Sequence, residues 1–187
     1  AKPVCTPVVR PSASAIAEDK ALDAGKMTHF RGLAARGNYL AADRPDCAYA
    51  AKEICRWMCS PTHLGLQSLK RLTRFLVGKP RLLWHYAWQD AKHFDVYSDT
   101  DWAGCPTTRK STSGGCVMVG THLIKSWSST QPNISLSSGE AEVVGVTRAC
   151  AVALGYRSLT ADLGLKLSSR VWTDSSAAIG ICKRQGL

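Results

Sequence analysis

Across residues 27–77 the apolar side chains return every three or four positions, the period of a helix with one buried face. Phe30, Leu33, Ala34, Gly37 and Leu40 keep that spacing from Met27 to Ala41, until Ala42-Asp43-Arg44-Pro45 breaks it. Asp46 follows as a candidate N-cap, and Ala50, Ile54, Trp57 and Met58 line a second helix as far as Ser60-Pro61. A third helix is predicted over residues 62–77, with Leu66, Leu69, Leu72 and Leu76 on one side, Lys70, Arg71 and Arg74 on the other, and Gly78 as its stop. After Pro80 the period falls to two and β-favouring residues take over. Strands are predicted at 81–88, 94–98, 115–119 and 122–127, the last two joined by Gly120-Thr121. A long helix (139–163), a short strand (170–173) and a final helical stretch (175–184) complete the pattern. Strands followed by helix, strand and helix describe an α/β domain with a mixed sheet, here preceded by a small helical subdomain. Residues 1–26 mix Pro, Ser, Ala and Val without a period and read as an extended lead-in. The expected division is therefore 1–26, 27–92 and 93–187.

At 187 residues, 45% hydrophobic and 20% charged, the chain has room for one full domain and a flanking helical piece, which excludes a large multidomain enzyme. No apolar run approaches the ~18 residues of a membrane helix, and Ala1–Arg10 lacks a signal-type apolar core, so an intracellular protein is expected. Eight cysteines at irregular spacing, without a C-x-x-C pair, fit reduced thiols. Cys55, Cys59 and His63 could offer zinc one helical face, but Pro61 interrupts the helix before the histidine.

Twenty-four Lys and Arg against 14 Asp and Glu give a formal +10, which points to a polyanion such as nucleic acid, or to solubility alone. The excess is uneven: residues 1–92 hold fifteen basic and seven acidic side chains, 93–187 nine and seven. The basic helix with Lys70, Arg71 and Arg74 is a candidate phosphate-tracking surface, and equally an ordinary solvated face packed through its leucines.

Three carboxylates stand out. Phe94–Asp99 and Arg170–Asp174 each place an aspartate after a hydroxyl residue where an apolar strand ends, and ligand sites in open α/β sheets lie at such carboxyl ends. Asp99 and Asp174 could therefore sit side by side, although each alone also reads as a cap or turn residue. In Ser137-Ser138-Gly139-Glu140 the capping-box spacing gives Glu140 a structural task. From Glu142, steps of three and four pass through Val146, Ala149, Cys150 and Ala153, so this second glutamate faces the core side of the helix and needs a cation or a donor. Three hard oxygen donors from two strand ends and a helix start suit Mg²⁺ or Mn²⁺ and phosphodiester hydrolysis. Scattered histidines and the lack of Gly-x-Ser-x-Gly or a P-loop leave no competing apparatus.

Several strings around these residues form a recognisable set: Leu40–Asp46 with Ala48-Tyr49-Ala50, Leu69–Leu72 with Leu76-Val77-Gly78, Tyr97–Gly104, Thr108–Gly114, Trp127-Ser128-Ser129 with Gln131-Pro132, Ser137–Glu142, and Asp174–Ala178. In this order they resemble the C-terminal part of the Pol polyprotein of copia-type LTR retrotransposons, from the end of reverse transcriptase through most of its ribonuclease H domain. The resemblance implies a ribonuclease H-like mixed sheet in 93–187 and the helical end of reverse transcriptase in 27–92. It also implies that Asp99, Glu142 and Asp174 belong to a four-carboxylate site that holds two Mg²⁺ or Mn²⁺ and cleaves the RNA strand of an RNA–DNA hybrid. Asp101 is a second choice near Asp99, Arg109 and Lys110 would lie near the nucleic-acid backbone, and the upstream reverse transcriptase is an expected partner. The family's fourth carboxylate lies in a His-x-Asp string that would fall beyond Leu187, so the domain is expected to be incomplete at its C-terminus. Val143 also stands where the family commonly has an aromatic residue. The alternative expectation is a catalytically idle, retrotransposon-derived fragment that serves as a structural or nucleic-acid- or protein-binding subunit.

Overall fold

A five-residue helix, α1 (Ala13–Ala17), precedes three longer ones, α2 (Ala24–Leu40), α3 (Pro45–Cys55) and α4 (His63–Gly78), in a computed structural model that describes residues 2–184. Their ends follow local chemistry: Asp23 caps α2 by accepting from the Lys26 N–H, and Thr62 caps α4 by accepting from Gly65. At α3, Pro45 takes the first turn and Asp46 is not the cap, because the Arg44 side chain engages its carboxylate instead. Phe30, Ala34, Cys47, Ala50, Ile54, Leu69, Leu72 and Phe75 close a core that also takes in Leu22.

Residues 2–23, read above as a lead-in, are fastened onto these helices. Val4 and Val8 pack against the core, and Ala21 bridges to Thr62. Two arginines of the basic helix donate into the same segment. The Arg71 Nε bonds to the Thr6 carbonyl (3.1 Å) and its Nη2 to the Thr6 hydroxyl (2.7 Å), while Arg74 Nε bonds to the Lys2 carbonyl (2.6 Å).

Arg44, 7% exposed, ties the start of α3 to the end of α4. It grips Asp46 through two bonds of 2.9 Å and donates to the carbonyls of Lys79 (2.9 Å) and Pro80 (3.4 Å). Arg44→Ala is expected to cost about 1–3 kcal/mol in urea unfolding followed by tryptophan fluorescence, since it removes a buried guanidinium that joins Asp46 to the Lys79 and Pro80 carbonyls through charge-assisted bonds.

The second half forms β1 (His93–Asp101), β2 (Thr112–Val119), β3 (His122–Thr130), α5 (Ser138–Asp162), β4 (Ser168–Trp172) and α6 (Ser176–Cys182). The sheet is mixed, in the order β3-β2-β1-β4, with β1 antiparallel to β2 and parallel to β4. Helix α5 lies on one face, where Phe94, Val96, Val117, Ala149 and Ala153 form the core. Among the described residues no helix is long and apolar enough to cross a membrane.

The chain divides into two units, Ala1–Trp84 and His85–Leu187, and the strand expected at 81–88 is absent. Alternating apolar residues become a strand only beside a partner, and residues 81–88 pair with no strand of the sheet, whose order is β3-β2-β1-β4. Residues 85–92 instead lace onto the β2–β3 turn, where the Gln89 amide donates to the Val119 carbonyl (2.6 Å) and accepts from the Thr121 N–H (3.0 Å).

Candidate active site

The parallel pair β1 and β4 aligns Tyr97 with Trp172, and the same register continued by two residues brings Asp99 level with Asp174. Phe94, Val96 and Ser98 of β1 are buried on the α5 side, whereas Tyr97 and Asp99 are exposed. Glu142 enters from α5. Ser137 caps that helix by accepting from the Glu140 N–H (3.1 Å), and Glu140 reaches back to the Leu136 N–H (2.7 Å), one residue before the predicted capping-box partner.

Gly145 sets the height of the helix above the sheet. A Cβ there would sit 2.5 Å from Thr100 Oγ1 and 3.1 Å from Ser98 Oγ, so only glycine lets the first turns come this close. The predicted apolar row is buried at Val146, Ala149 and Ala153 but not at Cys150, which is exposed.

Oxygen atoms of Asp99, Glu142 and Asp174 lie within 4.8 Å of one another, and among the described residues this is the only group of three or more His, Cys, Asp or Glu side chains that converges so. Asp99 and Asp174 are exposed and Glu142 is half-buried. One Glu142 oxygen, Oε2, is buried with no hydrogen-bond partner. Burial pushes the Glu142 carboxyl up from its ordinary value, and the neighbouring Asp99 and Asp174 push it further, against the opposing pull of the Thr100 backbone N–H. An orphaned, partly desolvated carboxylate oxygen facing two more carboxylates fits a hard divalent cation.

The raised acid makes the metal-free chain less stable as pH rises. The folded state holds the Glu142 proton more tightly than the unfolded chain, so folding gains stability on acidification from above the raised pKa down to about 4.5. Thermal melts in chelator between pH 5 and 8 are expected to show this slope in the wild type and to lose it in Glu142→Gln. Asp95 works in the opposite sense at lower pH. The Arg170 guanidinium (2.7 and 2.8 Å) and then the Trp172 indole N–H (2.7 Å) hold its carboxyl below the usual range, so its contribution is lost on acidification through that lowered pKa.

Asp101 is not part of the converging trio, and its carboxylate lies against Gly104. Arg109 and Lys110 lie in the loop from β1 to β2, which leaves the strand end that carries Asp99; Arg109 is exposed and adopts a left-handed backbone, φ 56°. Lys70 is exposed on α4 in the first unit, and Arg71 and Arg74 spend donors on the N-terminal segment. Cys55, Cys59 and His63 do not assemble, because α3 ends at Cys55 and a turn follows. The eight cysteines, all among the described residues, form no disulfide.

A cavity of about 470 Å³ opens beside Asp99 and Asp174, walled by Tyr97, Cys116, Trp172 and Thr173 among others. The rings of Tyr97 and Trp172 stack there, 6.3 Å apart and 15° from parallel. Sequence reasoning missed these walls, since they come together only through the β1–β4 register; for Gly145, a glycine inside a long helix was the available signal.

No family model matches the chain. No solved structure matches it. The chain is 36% identical over 186 residues to the retrovirus-related Pol polyprotein from transposon RE1 of Arabidopsis thaliana, covering 97% of this chain and 12% of that protein. It is 34% identical over 186 residues to the corresponding polyprotein from transposon RE2 of the same plant, with the same coverage of 97% and 12%. An uncharacterized mitochondrial protein of Arabidopsis is 36% identical over 145 residues, 75% of this chain and 58% of that protein. The chain thus spans about an eighth of the polyproteins it matches. With two such relatives matching nearly all of its length, the chain belongs with the retrovirus-related Pol polyproteins of transposons, consistent with a copia-type Pol fragment.

Proposed function

We propose that His85–Leu187 is a ribonuclease H-like hydrolase domain acting on the RNA strand of RNA–DNA hybrids. The observation that carries the reading is the convergence of Asp99, Glu142 and Asp174 around an unpartnered, buried Glu142 oxygen. Divalent ions held by these three carboxylates, two in the full scheme, would supply an activated water and charge stabilisation at the leaving oxygen. The chain's own contribution is positioning. The β1–β4 register sets the two aspartates side by side, and the glycine at 145 lets α5 lower Glu142 toward them. Arg109 and Lys110 stand on the loop leaving β1, where guanidinium and ammonium groups can meet phosphates. In the first unit, taken by itself, Lys70, with whatever donors Arg71 and Arg74 keep free, is a candidate for sequence-independent phosphate contact. An upstream reverse transcriptase domain is the natural partner, as the Pol polyprotein relatives suggest.

The test is cleavage of a labelled RNA–DNA hybrid by this chain in Mg²⁺ and in Mn²⁺, beside Asp99→Asn. Metal-dependent cutting that the variant lacks supports the reading. No cutting together with no metal-linked stabilisation overturns it in favour of an idle binding fragment.

A further inference from the structure

We propose that Gln131 is the positioning residue for Glu142, an inference that rests on the metal-centre reading of the carboxylate trio. Gln131 is 4% exposed and sits just past the end of β3. Both protons of its amide are used: Nε2 donates to the Ser113 hydroxyl (2.9 Å) and to the Ala141 carbonyl (2.9 Å). Its Oε1 accepts from the Ser135 hydroxyl (3.2 Å), and its backbone N–H donates to the Ser111 carbonyl (2.8 Å). The Ala141 carbonyl can only accept, which fixes which end of the amide faces the helix.

The two acceptors belong to elements that must be held together for the site to exist. Ser113 lies opposite Thr100 in the β1–β2 ladder, one residue from the Asp99 level. Ala141 immediately precedes Glu142 and is fully buried. One buried amide therefore links the strand layer that carries Asp99 to the peptide from which the Glu142 side chain departs. Gly145 permits the close approach from above, and Gln131 holds it from the side. At the trio the Thr100 backbone N–H pulls on the Glu142 carboxyl but leaves Oε2 without a protein partner, so the peptide that carries Glu142 is held by Gln131.

The test is Mn²⁺ affinity of the full chain, measured by electron paramagnetic resonance of the free ion, for wild type, Gln131→Met, Glu142→Gln and the double variant. Gln131→Met keeps the length and apolar volume and removes the amide. It is expected to weaken Mn²⁺ binding about 10–100-fold with unchanged far-ultraviolet circular dichroism. In the Glu142→Gln background the same change should alter the residual affinity by less than about twofold, because the path it acts through is gone. In hybrid cleavage the loss should fall on kcat, with KM nearly constant. Equal losses in both backgrounds, or full affinity in a folded Gln131→Met chain, overturn the assignment.

If Gln131→Met does not fold, Ser135→Ala takes its place: it removes only the hydroxyl that orients the Gln131 carbonyl, and a smaller loss of the same non-additive kind is expected. If the wild type binds no Mn²⁺, the hydrolase reading fails by itself. The positioning role is then decided in the metal-free chain by the Glu142 ¹³Cδ resonance, which Gln131→Met should shift and which, unmoved, refutes the role.

Discussion

Asp99→Asn is expected to lower hybrid cleavage by at least about 100-fold and to abolish stabilisation by Mn²⁺, while making the metal-free chain more stable near neutral pH. The first effect follows because Asp99 is one of only three carboxylates whose oxygens converge within 4.8 Å among the described residues, and an amide cannot supply the missing charge. Several kcal/mol of transition-state stabilisation depends on that charge, and each 1.36 kcal/mol is tenfold in rate. In the wild type, Mn²⁺ at a hundredfold excess over its Kd should add about 2.7 kcal/mol to folding. The third effect comes from the crowding that Asp99 imposes on Glu142, whose carboxyl it helps to raise. Without that neighbour, Glu142 ionises at less cost in the folded state. Melting curves in chelator and in Mn²⁺ therefore separate the outcomes cleanly. A functional carboxylate gives a rise without metal and no response with it; a merely structural aspartate gives a fall in both.

Gly145→Ala should destabilise the second unit and weaken metal binding together. Alanine gains about 1 kcal/mol over glycine within a helix, so on propensity alone this change would stabilise. Its Cβ, however, would arrive 2.5 Å from Thr100 Oγ1 and 3.1 Å from Ser98 Oγ, against hydroxyls that are themselves buried without partners. Overpacking of this kind costs about 1–3 kcal/mol, enough to outweigh the propensity gain, and the cheapest relief is for α5 to lift off the sheet. Lifting α5 carries Glu142 away from Asp99 and Asp174. Gly155→Ala in the same helix is the control. A Cβ at 155 meets nothing within 4 Å, so that variant should gain about 0.5–1 kcal/mol and keep its metal affinity. Urea unfolding and Mn²⁺ titration of the pair check both halves of the argument, and parallel behaviour of the two variants would contradict it.

The three carboxylates were legible in the sequence for different reasons. Asp99 and Asp174 stood out because each follows a hydroxyl residue where a β-type run gives out. Glu142 stood out because helical spacing put it in line with Val146, Ala149 and Ala153, and all three of those are buried. The bond from the Glu140 N–H to Ser137 follows from the same local arithmetic, with the return contact displaced to Leu136. The basic face of α4 was legible as a pattern, but not its use: Arg71 and Arg74 bind Thr6 and Lys2, more than sixty residues away in sequence. No periodicity foretold that, because residues 2–9 have none.

The sequence by itself determined what depends on neighbours a few residues apart: helix faces, caps, strand-type alternation, and which carboxylates lie at element ends. Only the tertiary structure decided what depends on a partner far along the chain. The offset that sets Asp99 beside Asp174 is a property of two strands 75 positions apart. The close approach at Gly145 needs Thr100 beneath it, and the amide of Gln131 needs both Ser113 and Ala141 in reach. Residues 81–88 alternate like a strand and form none. The physical reason is common to all four cases. A side chain's period is written in its own segment, whereas hydrogen-bond register and van der Waals contact are settled by whichever segment folds against it.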